Sequence, residues 1–139
     1  MLVIKPIEDK AQQRELVLRC GGKYSENALA YLANDCEADG ETIRHPIGVC
    51  QFTLCGTEGV IDLLRCLPCI DDREALMIMA RAAMSFLSRC GFSAAVIADG
   101  AAAPDLIRAL GFRDGGDGRM TINLAAFYAG PCRFSPEGE

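Results

Sequence analysis

Apolar and polar positions along the chain change period several times, and each change marks an element. Leu2 to Ile7 alternate as a first strand that stops near Pro6. Glu8 to Cys20 carries its acids first and Arg14 and Arg19 later, the charge order a helix dipole favours. Leu16 and Cys20 lie four apart on one face, and Gly21-Gly22 ends the helix. Asn27 to Ala33 has helical propensity, yet Leu29 to Asn34 leads through the turn-rich stretch Asn34 to Glu41 into a clear strand. We read it as the first arm of a hairpin. Pro46 to Leu54 is rich in β-formers and predicts a strand. Gly56 to Gly59 predicts a turn and Val60 to Leu67 the antiparallel partner strand.

The clearest element is Glu74 to Arg89. Leu76, Met79, Ala80, Ala83, Phe86, Leu87 and Cys90 recur at helical spacing, while Glu74, Arg81, Ser85 and Ser88 face away. Gly91 closes it. The apolar run Ser93 to Ala98 predicts a buried strand, parallel to the preceding one across the helix. Pro104 opens a short helix, Asp105 to Leu110, which Gly111 ends. Asp114 to Gly118 is a hairpin turn, and Met120 to Phe127 is expected to form the last strand. The order predicts an α/β (α+β) domain over residues 1–128, a mixed and mostly antiparallel sheet flanked by helices, with a C-terminal tail over 129–139.

Composition narrows the picture. The 139 residues are enough for one domain with a real core. A formal net charge of −5 argues against an electrostatic nucleic-acid partner. No apolar run is long enough to span a membrane. The start, M-L-V-I-K-P-I-E-D, lacks the basic region and cleavage site of a signal peptide, so the expected compartment is the cytoplasm. Eight cysteines are present. Cys50, Cys55, Cys66 and Cys90 fall in apolar runs, and all eight are expected as reduced, buried or half-buried thiols.

The stretch Val60 to Phe112 resembles the core of the GNAT superfamily of acyl-CoA N-acyltransferases. Three pieces carry the likeness: the strand Ile61-Asp62-Leu63-Leu64-Arg65-Cys66, the long helix ending F-L-S-R-C-G, and the short helix ending in Leu110-Gly111-Phe112. The resemblance implies a GNAT-like sheet with a strand–long helix–strand crossover, acetyl-CoA as cofactor, and a small-molecule or peptide amine as acceptor. It places the cofactor's pyrophosphate on backbone N–H groups between the splayed strand and the long helix. The cofactor-binding positions then include Leu64, Cys66, Asp71, Asp72, Arg73, Glu74, Ala75 and Leu76. Leu64 to Leu67 would offer N–H groups to the thioester carbonyl.

At those positions the chain departs from the family's pattern, Arg/Gln-x-x-Gly-x-Gly/Ala, with Asp71, Glu74 and Leu76. Asp71 and Glu74 have the spacing of an N-cap and its third-residue partner, a capping box that would occupy the amides a diphosphate needs. Repulsion between two carboxylates and a diphosphate costs on the order of 1–4 kcal/mol, or about tenfold to a thousandfold in affinity. The tyrosine that serves many relatives as general acid is replaced by Ile107, which has no proton to donate. The asparagine that often opens that helix is absent from A-D-G-A-A-A-P.

Two functional readings follow. One is an unusual acyl-CoA-dependent N-acetyltransferase. The other is a GNAT-fold protein that has lost catalysis and serves as a ligand-binding or regulatory module, with a homodimer as its candidate assembly. Asp62 is the candidate general base, against the plainer reading of an outward-facing strand acid. Glu58 reads as solvated, and Tyr24, Tyr31 and Tyr128 as core packing. Cys66-Leu67-Pro68-Cys69 before a helix is also the setting of a thiol redox pair. No proline precedes the strand near Met120, and Asp71 and Asp72 would disfavour a thiolate there. No metal is expected: His45 and Cys69 are ligand candidates only by elimination, and His45 reads as a turn residue.

Overall fold

The computed structural model describes residues 1–128, and the predicted tail over 129–139 lies outside them. Seven strands form one sheet. They are β1 (Leu2–Pro6), β2 (Leu29–Cys36), β3 (Ile43–Cys55), β4 (Glu58–Cys66), β5 (Ala94–Ile97), β6 (Arg113–Asp114) and β7 (Met120–Asn123). Their spatial order is β1-β2-β3-β4-β5-β7-β6. Only β4 and β5 pair in parallel; the other neighbours are antiparallel. The helices are α1 (Lys10–Arg19), α2 (Arg73–Arg89), α3 (Pro104–Ala109) and α4 (Leu124–Tyr128). The crossover through α2 is what a parallel pair requires.

Two cores lie on opposite faces. On one face Ala75, Met79, Ala80, Ala83, Met84 and Leu87 of α2 pack with Cys50, Phe52, Ile61 and Leu64 of the sheet and with Leu106 and Phe112. On the other, Leu16 and Val17 of α1 and Cys20 at its C-cap cover Leu32, Val49 and Leu63. The α2 stripe is the expected one, with Ala75 and Met84 added and Cys90 exposed at the helix end. The β2–β3 turn is held by Asp39. Its carboxylate accepts the Glu41 and Thr42 amides at 2.9 Å and the Thr42 hydroxyl at 2.7 Å. Those bonds bring its pKa down to about 2, the Thr42 hydroxyl contributing most.

Several expectations need correction. The strand expected over Met120 to Phe127 ends at Asn123, whose side-chain oxygen accepts the Ala126 amide at 3.0 Å and starts α4. The helix-prone sequence L-A-A-F-Y then follows its propensity. His45 is no turn residue: β3 begins at Ile43, and His45 sits exposed opposite Asp35. The thiols divide: Cys20, Cys36 and Cys50 are buried, Cys66 is half-buried, and Cys55, Cys69 and Cys90 are exposed. All seven described cysteines are free. No helix among the described residues is long and apolar enough to cross a membrane.

Candidate functional site

The site begins with an irregularity in β4. Phe52 pairs with Ile61 and Gln51 with Leu63, so Asp62 is an extra residue in the ladder. Such a bulge places two successive residues opposite one partner. Asp62 and Leu63 therefore both look toward the α1 face, while Ile61 and Leu64 both join the α2 core. Asp62 is not the outward-facing strand acid of the plainer reading.

A buried chain of amides fixes this carboxylate. Gln51, fully buried, donates through Nε2 to Asp62 Oδ1 at 3.1 Å and to the Lys23 carbonyl at 2.8 Å. Its Oε1 accepts from Gln13 Nε2 at 3.0 Å, and Gln13, equally buried, also donates to the Ala28 carbonyl. Lys10 Nζ donates to Gln13 Oε1 at 3.2 Å. Burial raises the pKa of Asp62 and the Gln51 bond moderates the rise. Gln13 and Gln51 carried no sequence signal, since their contact spans 38 residues.

Asp62 opens onto a cavity of about 260 Å³ lined also by Gly21, Gly22, Lys23, Leu63, Arg65, Asp99 and Gly100. Gly22 allows the close approach, because a Cβ there would fall 2.8 Å from Leu63 Cδ2. Two carboxylates and two cations line the space, so its net charge is near zero. None of the three tyrosines lines it: Tyr31 stacks on Phe52 with ring centroids 5.9 Å apart, and Tyr24 and Tyr128 pack against the two cores. Ile107 is buried on the inner side of α3.

On the opposite face β4 and β5 part after Ile61 and Ile97. The cofactor positions implied by the resemblance cluster there, and the Leu64, Ala75 and Leu76 amides among them are bonded within the chain. Leu64 N–H donates to the Ala101 carbonyl at 2.9 Å. Leu67 N–H donates to the Ile47 carbonyl at 2.8 Å. Asp72, not Asp71, caps α2: its Oδ1 accepts from Ala75 N–H at 3.0 Å, and its carbonyl from Leu76 N–H at 3.3 Å. Asp71 and Glu74 are exposed, so the capping box expected between them does not form. Two successive aspartates satisfy the same sequence rule, and the helix starts one residue later than spacing alone suggested. Arg73 pairs with Asp105 in the first turn of α3, which ties the two helix starts together. Cys66 donates weakly to the Asp72 carbonyl at 3.7 Å, and burial pushes its thiol pKa up. A redox thiol needs the opposite shift. Glu58 pairs with Arg119 at 2.6 Å.

The side chains at the start of α2, unlike its backbone, oppose the diphosphate of coenzyme A. The Leu64 amide has a partner, the Asp72 carboxylate takes the Ala75 amide, and Asp71, Asp72 and Glu74 put three carboxylates at the start of α2. Among the described residues, no group of three or more His, Cys, Asp or Glu side chains is placed to hold a metal ion.

No protein-family model and no curated protein matches the sequence. Solved structures do match the fold. The chain is similar to the ribosomal-protein-S18-alanine N-acetyltransferase of Escherichia coli, with a TM-score of 0.65 at 14% identity over 89% of this chain and 94% of that one. It is similar to the PaiA N-acetyltransferase of Thermoplasma acidophilum in complex with coenzyme A, with a TM-score of 0.61 at 15% identity over 88% and 99%. A putative N-acetyltransferase of Escherichia coli bound to coenzyme A, YhhK, gives 0.60 at 23% identity over 88% and 98%. With its parted parallel pair, its crossover helix and these neighbours, the chain has the GNAT fold, at 14–23% sequence identity to them.

Proposed function

We propose that this protein is a GNAT-fold module that binds a small amine at Asp62 and is not an ordinary CoA-dependent acyltransferase. The observation that carries this reading is the contrast between the two faces of β4. On the α1 face a carboxylate is held by a buried amide chain and opens into a cavity. On the α2 face the Leu64 amide, which would meet an acyl donor, is already bonded, and the start of α2 carries three carboxylates. Asp62 would accept N–H bonds from an ammonium, and its raised pKa would also let it take a proton from the amine as a weak base. The balanced charge of the lining suits an amine that carries a carbonyl or carboxylate, as amino acids and peptide N-termini do. The compartment proposed is the cytoplasm, with no nucleic-acid or membrane partner.

Acyl transfer to that amine is the second reading. It is supported by the coenzyme A seen in structural neighbours and by the parting of β4 from β5. Calorimetry with acetyl-CoA and coenzyme A separates the two. No heat of binding at millimolar coenzyme A is expected, and a micromolar dissociation constant would overturn the first reading. A thermal-shift panel of glycinamide, free amino acids and spermidine tests the amine. Saturation at about a hundred times Kd should stabilise by about 2.7 kcal/mol, and Asp62→Asn should abolish the shift. An identical shift in that variant would remove Asp62 from the site.

A further inference from the structure

The wedge between β4 and β5 is filled by the chain itself. β5 ends at Ile97, whereas β4 runs on to Cys66. Past that point β4 has lost its partner strand, and Leu64 N–H would point into open space. The segment 98–103 turns back to meet it. Ala98 N–H donates to the Ile61 carbonyl at 2.8 Å and prolongs the ladder by one bond. Ala101 N–H then closes a turn onto the Ala98 carbonyl at 3.1 Å, with Gly100 at φ +80°. The Ala101 carbonyl arrives 2.9 Å from Leu64 N, in the place of an absent strand. Ala101 is 2% exposed, and both it and Ala102 belong to the main core, so the segment is packed in place.

Contacts on both sides fasten it. From the α1 face the Arg65 guanidinium donates to the Gly100 carbonyl. On the outside Arg73 pairs with Asp105, immediately beyond the segment. Ala101 and Ala102 are the residues of the segment that lie buried, each with a single methyl.

We propose that residues 98–103 are an internal strap that occupies the acyl-donor cleft and keeps it closed. What it excludes is an extended, amide-bearing chain that would pair with β4 at Leu64, the chemistry of a pantetheine arm. The strap rests on the GNAT reading of this cleft and does not depend on what Asp62 holds. It also acts separately from the carboxylates at the start of α2, which would oppose a diphosphate but not a neutral arm.

Hydrogen exchange of the Leu64 amide, followed by NMR on the full chain, tests the strap, with pantetheine as an uncharged probe. In the wild type the Leu64 amide should be protected by about a hundredfold or more over an exposed loop amide. Millimolar pantetheine should leave its resonance unmoved. Gly100→Val combined with Arg65→Ala forces a β-branched residue into the left-handed region and removes one fastening. It should lower Leu64 protection by about tenfold while Met79 and Leu87 amides stay protected, and pantetheine should then shift Leu64. Asp105→Asn serves as a gentler variant that breaks only the outer tie, and should speed Leu64 exchange by about threefold. A wild-type Leu64 amide that exchanges like Gly56, or pantetheine shifting it in the wild type, would overturn the proposal. So would Leu64 protection unchanged in both variants. The amine panel reads Asp62 and this experiment reads Leu64, so either reading can fail alone.

Discussion

Replacing Gln51 with methionine keeps the length of the side chain and deletes its hydrogen bonds. Three are lost: to Gln13 at 3.0 Å, to the Lys23 carbonyl at 2.8 Å and to Asp62 at 3.1 Å. Neutral bonds contribute about 1 kcal/mol each and one to a charged group about 2 kcal/mol, for a ceiling of about 4 kcal/mol. Two features reduce it. Gln13 keeps its bond to Ala28 at 3.2 Å, and Asp62 is half-exposed to the cavity. The expected loss is therefore about 2–3 kcal/mol, or roughly 6–15 °C in Tm for a chain of this size. Urea unfolding of Gln51→Met, Gln13→Met and the double variant forms a cycle. The second substitution removes the group that the first left unpaired, so the double loss should fall short of the sum by about 1–2 kcal/mol. A loss below about 0.5 kcal/mol for Gln51→Met, or additivity within about 0.5 kcal/mol, would refute the network as the support of Asp62.

Asp72→Ala should cost about 1 kcal/mol by removing the α2 cap, while Asp71→Ala should stay within about 0.5 kcal/mol in the same urea titration. Equal losses would return the cap to Asp71. Asp62 holds its proton to higher pH folded than unfolded, because burial raises its pKa. The native state therefore binds more protons in the window between the unfolded and folded values, and stability falls as pH rises through it. Asp62→Asn should thus unfold at a higher temperature than the wild type at neutral pH. That advantage should shrink as pH falls through the window and vanish below it; a pH-independent difference would contradict the burial. Gly59→Ala would set a Cβ 2.4 Å from both Leu87 methyls, and Leu87 is fully buried. Overpacking of this kind should cost about 1–3 kcal/mol by thermal melt, and a neutral result would mean the interface can open.

What the sequence made legible is what short-range periodicity encodes. The α2 stripe, the β3–β4 pair and the crossover to β5 all follow from spacing within a few residues, and the structure contains them. The end of the last strand was misread because T-I-N-L-A-A-F continues an apolar run. Its stop signal, Asn123 acting on the Ala126 amide, is a cap that reads equally well as a strand residue. The α2 cap slipped by one because Asp71 and Asp72 are chemically the same. Asp62 was found as a carboxylate on the right strand, but the bulge that turns it toward α1 leaves no mark in composition. The amide chain and the strap join residues 38 and 37 positions apart, between Gln13 and Gln51 and between Leu64 and Ala101.

The bulge makes Asp62 a guest in its strand. Since Gln51 already faces Leu63 and Phe52 already faces Ile61, excising residue 62 would splice the ladder into a continuous run and leave each core side chain on its own face. The carboxylate has thus been added to the sheet without taking a core position from any neighbour. Loss or gain of a single codon would switch this acid off or on in an otherwise unaltered scaffold, a route to new ligand chemistry that substitution inside a packed strand does not offer.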